Sequence, residues 1–91
     1  MTRLHLPSHA LTRDRDRTGN AIDQMVGRAI RRRRLQRDMT RDQLAEVAQV
    51  AQALIDDYEA GRKRARAEHL QRIARALGVA PAHFFDRPRP Q

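Results

Sequence analysis

Cysteine and tryptophan are absent from this 91-residue chain, and lysine occurs once, as Lys63. Without cysteine there is no disulfide, no thiolate nucleophile and no Cys-ligated zinc. With one Tyr and two Phe the chain cannot build the row of aromatic rings on which single-stranded bases stack. No apolar run approaches the length that spans a bilayer, and the first residues lack the apolar segment of a signal peptide. A cytoplasmic location without membrane contact is therefore expected. Histidine is sparse, and the one pair at helical spacing, His5 and His9, is interrupted by Pro7 and lacks a carboxylate partner, so no metal site is expected. No nucleophile–base pair and no phosphate-cradling Gly loop is present, which argues against an enzyme and gives no reason to expect a cofactor.

What the chain has in excess is positive charge: 19 Lys+Arg against 11 Asp+Glu, a formal net charge of +8. A small, strongly basic chain points to a polyanionic partner, above all nucleic acid. The length suits one domain. Its organising stretch is residues 39–61, MTRDQLAEVAQVAQALIDDYEAG. Thr40 and Gln43 have the spacing of a capping box, with Met39 and Leu44 placed for a hydrophobic staple. The pattern predicts a short helix over 41–48 with Leu44, Val47 and Ala48 on one face, and a second over 52–60 with Ile55 and Tyr58 inward, closed by Gly61. Two short helices joined by three or four residues form a helix-turn-helix, a unit that presents its second helix to a DNA groove.

Residues 1–20 show no sustained periodicity and read as a flexible basic arm, either inert or laid along DNA. A first helix is predicted over 22–37, capped by Asn20 or Asp23, with Ile22, Val26, Ala29 and Ile30 as its core stripe. Arg31 to Arg34 follow, and four consecutive arginines cover every face, so at least one turns inward and needs a carboxylate. After the central pair comes the loop Arg62-Lys63-Arg64-Ala65-Arg66. A helix over 67–77 follows, with Leu70, Ile73, Ala74 and Leu77 inward, His69 exposed and Gly78 past its end. Pro81 opens a last short helix bearing Phe84 and Phe85. Residues 87–91 read as a disordered tail. The expectation is an all-α domain of five helices over 21–86, too small to be robust alone.

With these elements placed, the chain resembles the Cro/C1-type, or XRE, helix-turn-helix family of phage-repressor-like regulators. The resemblance runs from about Val26 to Phe85 through Val26-Gly27, Ile30, Arg34, Thr40, Leu44-Ala45, Val50, Gln52, Ile55, Tyr58-Glu59, Gly61, Leu70, Ile73-Ala74, Leu77-Gly78-Val79 and Phe84-Phe85. It implies a five-helix, lambda-repressor-like fold whose second and third helices form the helix-turn-helix. It also implies a bacterial or phage protein of the nucleoid that binds a pseudo-palindromic operator in double-stranded DNA as a homodimer and regulates transcription, here as a repressor. Arg34 and Glu59 match a pair that forms a salt bridge beneath the helix-turn-helix in many members.

The sequence departs from the pattern at four places. Gln49 replaces the usual turn Gly, Ala51 the usual Ser or Thr cap, Arg41 the usual phosphate-binding Gln, and Arg33 a Leu, which thins the core. The expected base-reading face is Gln52, Ala53, Asp56 and Asp57. Gln pairs with adenine, Ala touches a thymine methyl, and Asp accepts from cytosine. Because carboxylates repel phosphates, backbone affinity should come from Arg28 and the arginine run Arg31 to Arg34, and from Thr40, Arg41, Arg62, Lys63, Arg64 and Arg66. Phe84 and Phe85 are expected at the dimer interface, since two adjacent aromatics cannot both fill so small a core. The competing expectation, motivated by the acidic third helix, is a protein-interaction module or antitoxin-like protein with a basic protein partner.

Overall fold

Asn20 caps the first helix by accepting a 2.8 Å hydrogen bond from the Asp23 amide. The computed structural model describes residues 20–86. The expected arm up to residue 19, including His5 and His9, and the expected tail 87–91 lie outside the described residues. Four α-helices follow in order: α1 (Ala21–Gln36), α2 (Arg41–Ala48), α3 (Gln52–Glu59) and α4 (Ala67–Leu77). The fifth expected helix is a 3-10 helix, Pro81–Phe85. The described residues contain no strand, so the all-α expectation holds and the count of five is corrected to four α-helices and one 3-10 turn.

The α2 start is as the spacing predicts. Thr40 Oγ1 accepts from the Gln43 amide at 3.0 Å, and Gln43 Oε1 accepts from the Thr40 amide at 2.8 Å. The α3 start has no side-chain cap, because Ala51 offers none.

All four α-helices end alike. The amides of Met39, Val50, Arg62 and Val79 reach back to the carbonyls of Arg34, Ala45, Asp57 and Ala74 at 2.9–3.1 Å. The residue before each amide, Asp38, Gln49, Gly61 or Gly78, is left-handed. This is the Schellman closure. Two of these positions are not glycine, and Gln49 (φ 58°) sits in the turn of the helix-turn-helix. A left-handed non-glycine residue costs about 1–2 kcal/mol. Gln49→Gly should therefore raise stability, by about 0.5–1 kcal/mol once the entropy of a free glycine is counted. A urea melt showing no gain would mean that the Gln49 side chain contributes more than its backbone costs.

The core is formed by Ile30, Leu44, Ile55, Ile73, Leu77 and Phe84, all fully buried, with Val26, Tyr58 and small alanines around them. Helix α1 packs on α3 and on the 3-10 helix, while α2 packs on α3 and α4. Two expected core residues are exposed. Val47 is 60% exposed: the inward stripe of α2 is Leu44, Ala45 and Ala48, and Val47 lies about 100° of helical rotation from its centre. Ile22, at 55%, precedes the stripe proper and lies beside Phe85 on the surface.

Neighbouring residues of a 3-10 helix point about 120° apart. Only one of the two aromatics can therefore face inward: Phe84 is fully buried and Phe85 is 48% exposed. Phe84 is thus a core residue, and the expectation of an interface role narrows to Phe85. Arg33 also finds a use at the position where a Leu was expected. Its Nε donates to the Leu77 carbonyl at 3.0 Å, and Nη1 of Arg37, just past α1, joins it at 3.4 Å, so two cations cap the negative end of α4.

Candidate nucleic-acid interface

Ile55 and Tyr58 pin α3 to the core, and Gln52 and Ala53 at its start are left fully on the surface. Beneath the helix, Arg34 Nε donates to Glu59 Oε2 at 2.7 Å and Nη2 to Oε1 at 2.9 Å, a fork-on-fork pair. Arg34 Nη1 donates to the Met39 carbonyl at 2.7 Å, tying the α1–α2 loop to the same brace. The hydrogen bond to Glu59 chiefly, and its charge, hold the Arg34 guanidinium above its ordinary pKa against the cost of burial. Arg34 was also expected to bind phosphate. Both side chains of the pair are nearly buried, and the pair braces α3 from beneath.

Tyr58 shows a second tie that sequence reasoning missed. Its hydroxyl lies 2.7 Å from His69 Nδ1, joining α3 to α4. His69 is half-buried rather than an ordinary exposed residue, because a buried tyrosine hydroxyl requires a partner and α4 supplies it.

The two remaining acids of α3 do not stand free on its surface. Asp57 accepts from Arg62 Nε at 3.0 Å, with Arg62 Nη2 at 2.9 Å and Lys63 Nζ at 3.5 Å. The Arg62 hydrogen bond above all, with the charges of Arg62 and Lys63, holds the Asp57 carboxyl below the ordinary carboxylate range. Asp56 is half-buried and lies 3.6 Å from Arg41 Nε. Of the four expected reading residues, Gln52 and Ala53 are presented outright, while Asp56 and Asp57 are engaged with the flanking cations. The spacing alone could not show this, because the partners come from α2 and from the loop after the α3 closure.

The expected phosphate ligands occupy the flanks. Arg28, Arg41, Arg62, Lys63, Arg64 and Arg66 are exposed. Arg64 lies 3.5 Å from the buried Asp23 carboxylate, so it also ties the basic loop to the start of α1. Thr40 is exposed at the α2 start, where its amide and hydroxyl oxygen are already used by the capping box. The described residues hold no group of three or more His, Cys, Asp or Glu arranged for a metal ion. No helix among them is long and apolar enough to cross a membrane.

An eight-residue helix held across a second by a left-handed turn, with its outer face framed by cations, is the arrangement of a helix-turn-helix protein. The sequence profile described as "Helix-turn-helix" matches residues 30–84, and the chain belongs to the Cro/C1-type helix-turn-helix family. It is 40% identical over 70 residues to an uncharacterised HTH-type transcriptional regulator, y4wC, of Sinorhizobium fredii, covering 77% of this chain and 49% of the relative. A second regulator of that organism, y4aM, is 42% identical over 67 residues, covering 74% and 47%. The chain thus spans about half the length of these curated relatives.

Among solved structures it is similar to the clp gene regulator ClgR of Corynebacterium glutamicum, with TM-score 0.68 and 29% identity, over 71% of this chain and 69% of that one. The restriction-modification controller protein C.AhdI of Aeromonas hydrophila shares the fold, with TM-score 0.70 and 20% identity over 72% of this chain and 100% of that one.

Proposed function

We propose that this chain is a sequence-specific double-stranded DNA-binding regulator of transcription, in which α3 enters the major groove and the flanking cations hold the backbone. The observation that carries the reading is the division of the α2–α3 surface. Gln52 and Ala53 are presented at the α3 start, beside Arg41 on one flank and Arg62 to Arg66 on the other. Gln52 is the one side chain of that pair with both a donor and an acceptor, as adenine recognition requires. The relatives named as transcriptional regulators support the same reading.

A homodimer on a pseudo-palindromic operator, acting as a repressor, is the finer form of the proposal, with the exposed Phe85 near the dyad. Binding one half-site as tightly as two would remove the dimer from it. The protein-interaction alternative rested on a bare acidic α3. Asp57 is covered by Arg62 and Lys63, and Asp56 lies beside Arg41, which leaves that reading without its motivating surface.

Gln52→Ala should weaken binding to a selected operator by about 1–3 kcal/mol while leaving random DNA little affected. The measurement is a mobility-shift titration on both kinds of duplex. Equal losses on the two would place some other element in the groove.

A further inference from the structure

One polar cleft of about 410 Å³ gathers side chains from four parts of the chain: Arg31 and Arg34 of α1, Arg41 of α2, Asp56 and Glu59 of α3, and Arg62 of the loop after it. Arg34 and Glu59 neutralise one another at its edge. That leaves Arg31 and Arg41, both exposed, beside one carboxylate, Asp56, while Arg62, also exposed, is held by Asp57. The Asp56 Oδ1 atom is buried and accepts no hydrogen bond among the described residues, and its only cation within ion-pair distance, Arg41, is at 3.6 Å. Such a loose contact leaves Arg41 free to exchange partners. Arg31 has no partner among the described residues, and within the arginine run, expected as a whole to add backbone affinity, it is the member that lines this cleft beside Arg34.

We propose that this cleft receives a DNA backbone phosphate, that Arg31 is one of its ligands, and that Asp56 is the internal counter-ion from which the phosphate draws Arg41. The geometry suits the chemistry. Planar guanidinium forks arriving from α1 and α2 match the two non-bridging oxygens of a phosphodiester. Asp56 then acts on affinity without touching a base. Every duplex, specific or not, must compete with it for Arg41, which lowers nonspecific binding. The inference rests on the DNA-binding reading above and adds to it a ligand and a competitor.

The test is a salt titration of binding to one random-sequence duplex. Each phosphate neutralised contributes about 0.9 to the slope of log affinity against log salt. Arg31→Ala should lower the slope by about that amount, and Arg31→Lys should keep it. Arg32→Ala, an exposed neighbour that does not line the cleft, should leave it unchanged. Asp56→Asn should raise affinity about 2- to 5-fold, the range expected for releasing an exposed ion pair, and the gain should vanish in the Arg41→Ala background. A wild-type slope in Arg31→Ala, or a gain that persists without Arg41, overturns the inference while leaving the regulator reading intact. A wild-type protein with no affinity for any duplex would overturn both.

Discussion

Gly27→Ala should lower the melting temperature by about 10 °C, although alanine is the better helix former. In an exposed helix interior the change would stabilise by about 1 kcal/mol. Here a Cβ on Gly27 would run into the Tyr58 carbonyl oxygen and meet the Glu59 carbonyl oxygen at 2.8 Å. Both obstacles are α3 backbone, which cannot rotate away as a side chain can. Overpacking costs about 1–3 kcal/mol, occasionally more, and a rigid obstacle belongs at the upper end. The net loss should be about 2 kcal/mol, which for a domain of this size is about 8–16 °C. The consequence for the proposed DNA contact is sharper, because α1 is the floor under α3. Pushing α3 outward also lengthens the Arg34–Glu59 hydrogen bonds. Thermal melting by circular dichroism checks the first claim, and an alanine variant that melts at or above wild type would mean that α1 and α3 do not cross so closely.

The Arg34–Glu59 pair should show the second large effect. Its side chains are 8% and 4% exposed, so removing one partner strands a charge that water reaches poorly. Such single losses cost about 3–5 kcal/mol, whereas replacing both partners by apolar residues of similar size is far milder. Arg34→Met and Glu59→Leu should each destabilise by that amount in urea, and the double variant by much less than their sum. Arg34→Met should be the worse single change, since it also removes the donor to the Met39 carbonyl. Two singles that melt like wild type would show that the pair is open to solvent.

The pH dependence follows from the two shifted groups. The raised Arg34 pKa means that its contribution is fully present below its unfolded value and is lost only as pH rises through the folded one. Both lie far above neutrality, so Arg34 gives no slope there. The lowered Asp57 pKa means the reverse. Its contribution is present above its unfolded value and is lost as pH falls through the folded one. The Asp57 contacts with Arg62 and Lys63 should therefore open in acid, below the usual carboxylate range.

Local chemistry determined most of the elements of this protein before any packing was known. The Thr40/Gln43 spacing fixes the start of α2, Gly61 and Gly78 mark the ends of α3 and α4, and the periodic apolar residues of α4 are its buried face. These features depend on contacts within about four residues, which is why one sequence suffices to read them. The turn at Gln49 and the exposure of Val47 were less legible, because one is a left-handed backbone on an ordinary residue and the other a question of helix phase over only eight residues.

What the tertiary structure alone decided is the state of the charged residues. Sequence makes Asp56 and Asp57 look like an acidic reading face, singles out Arg34 only through the family resemblance, does not separate Arg31, Arg32 and Arg33 from one another, and leaves His69 without a task. Packing turns Arg34 inward to Glu59, sends Arg33 to the end of α4, places Arg31 in the cleft with Arg41, and sets His69 against Tyr58. The physical reason is that a charge is satisfied by whichever partner the fold brings within about 3 Å, and those partners lie up to 44 residues away in the chain.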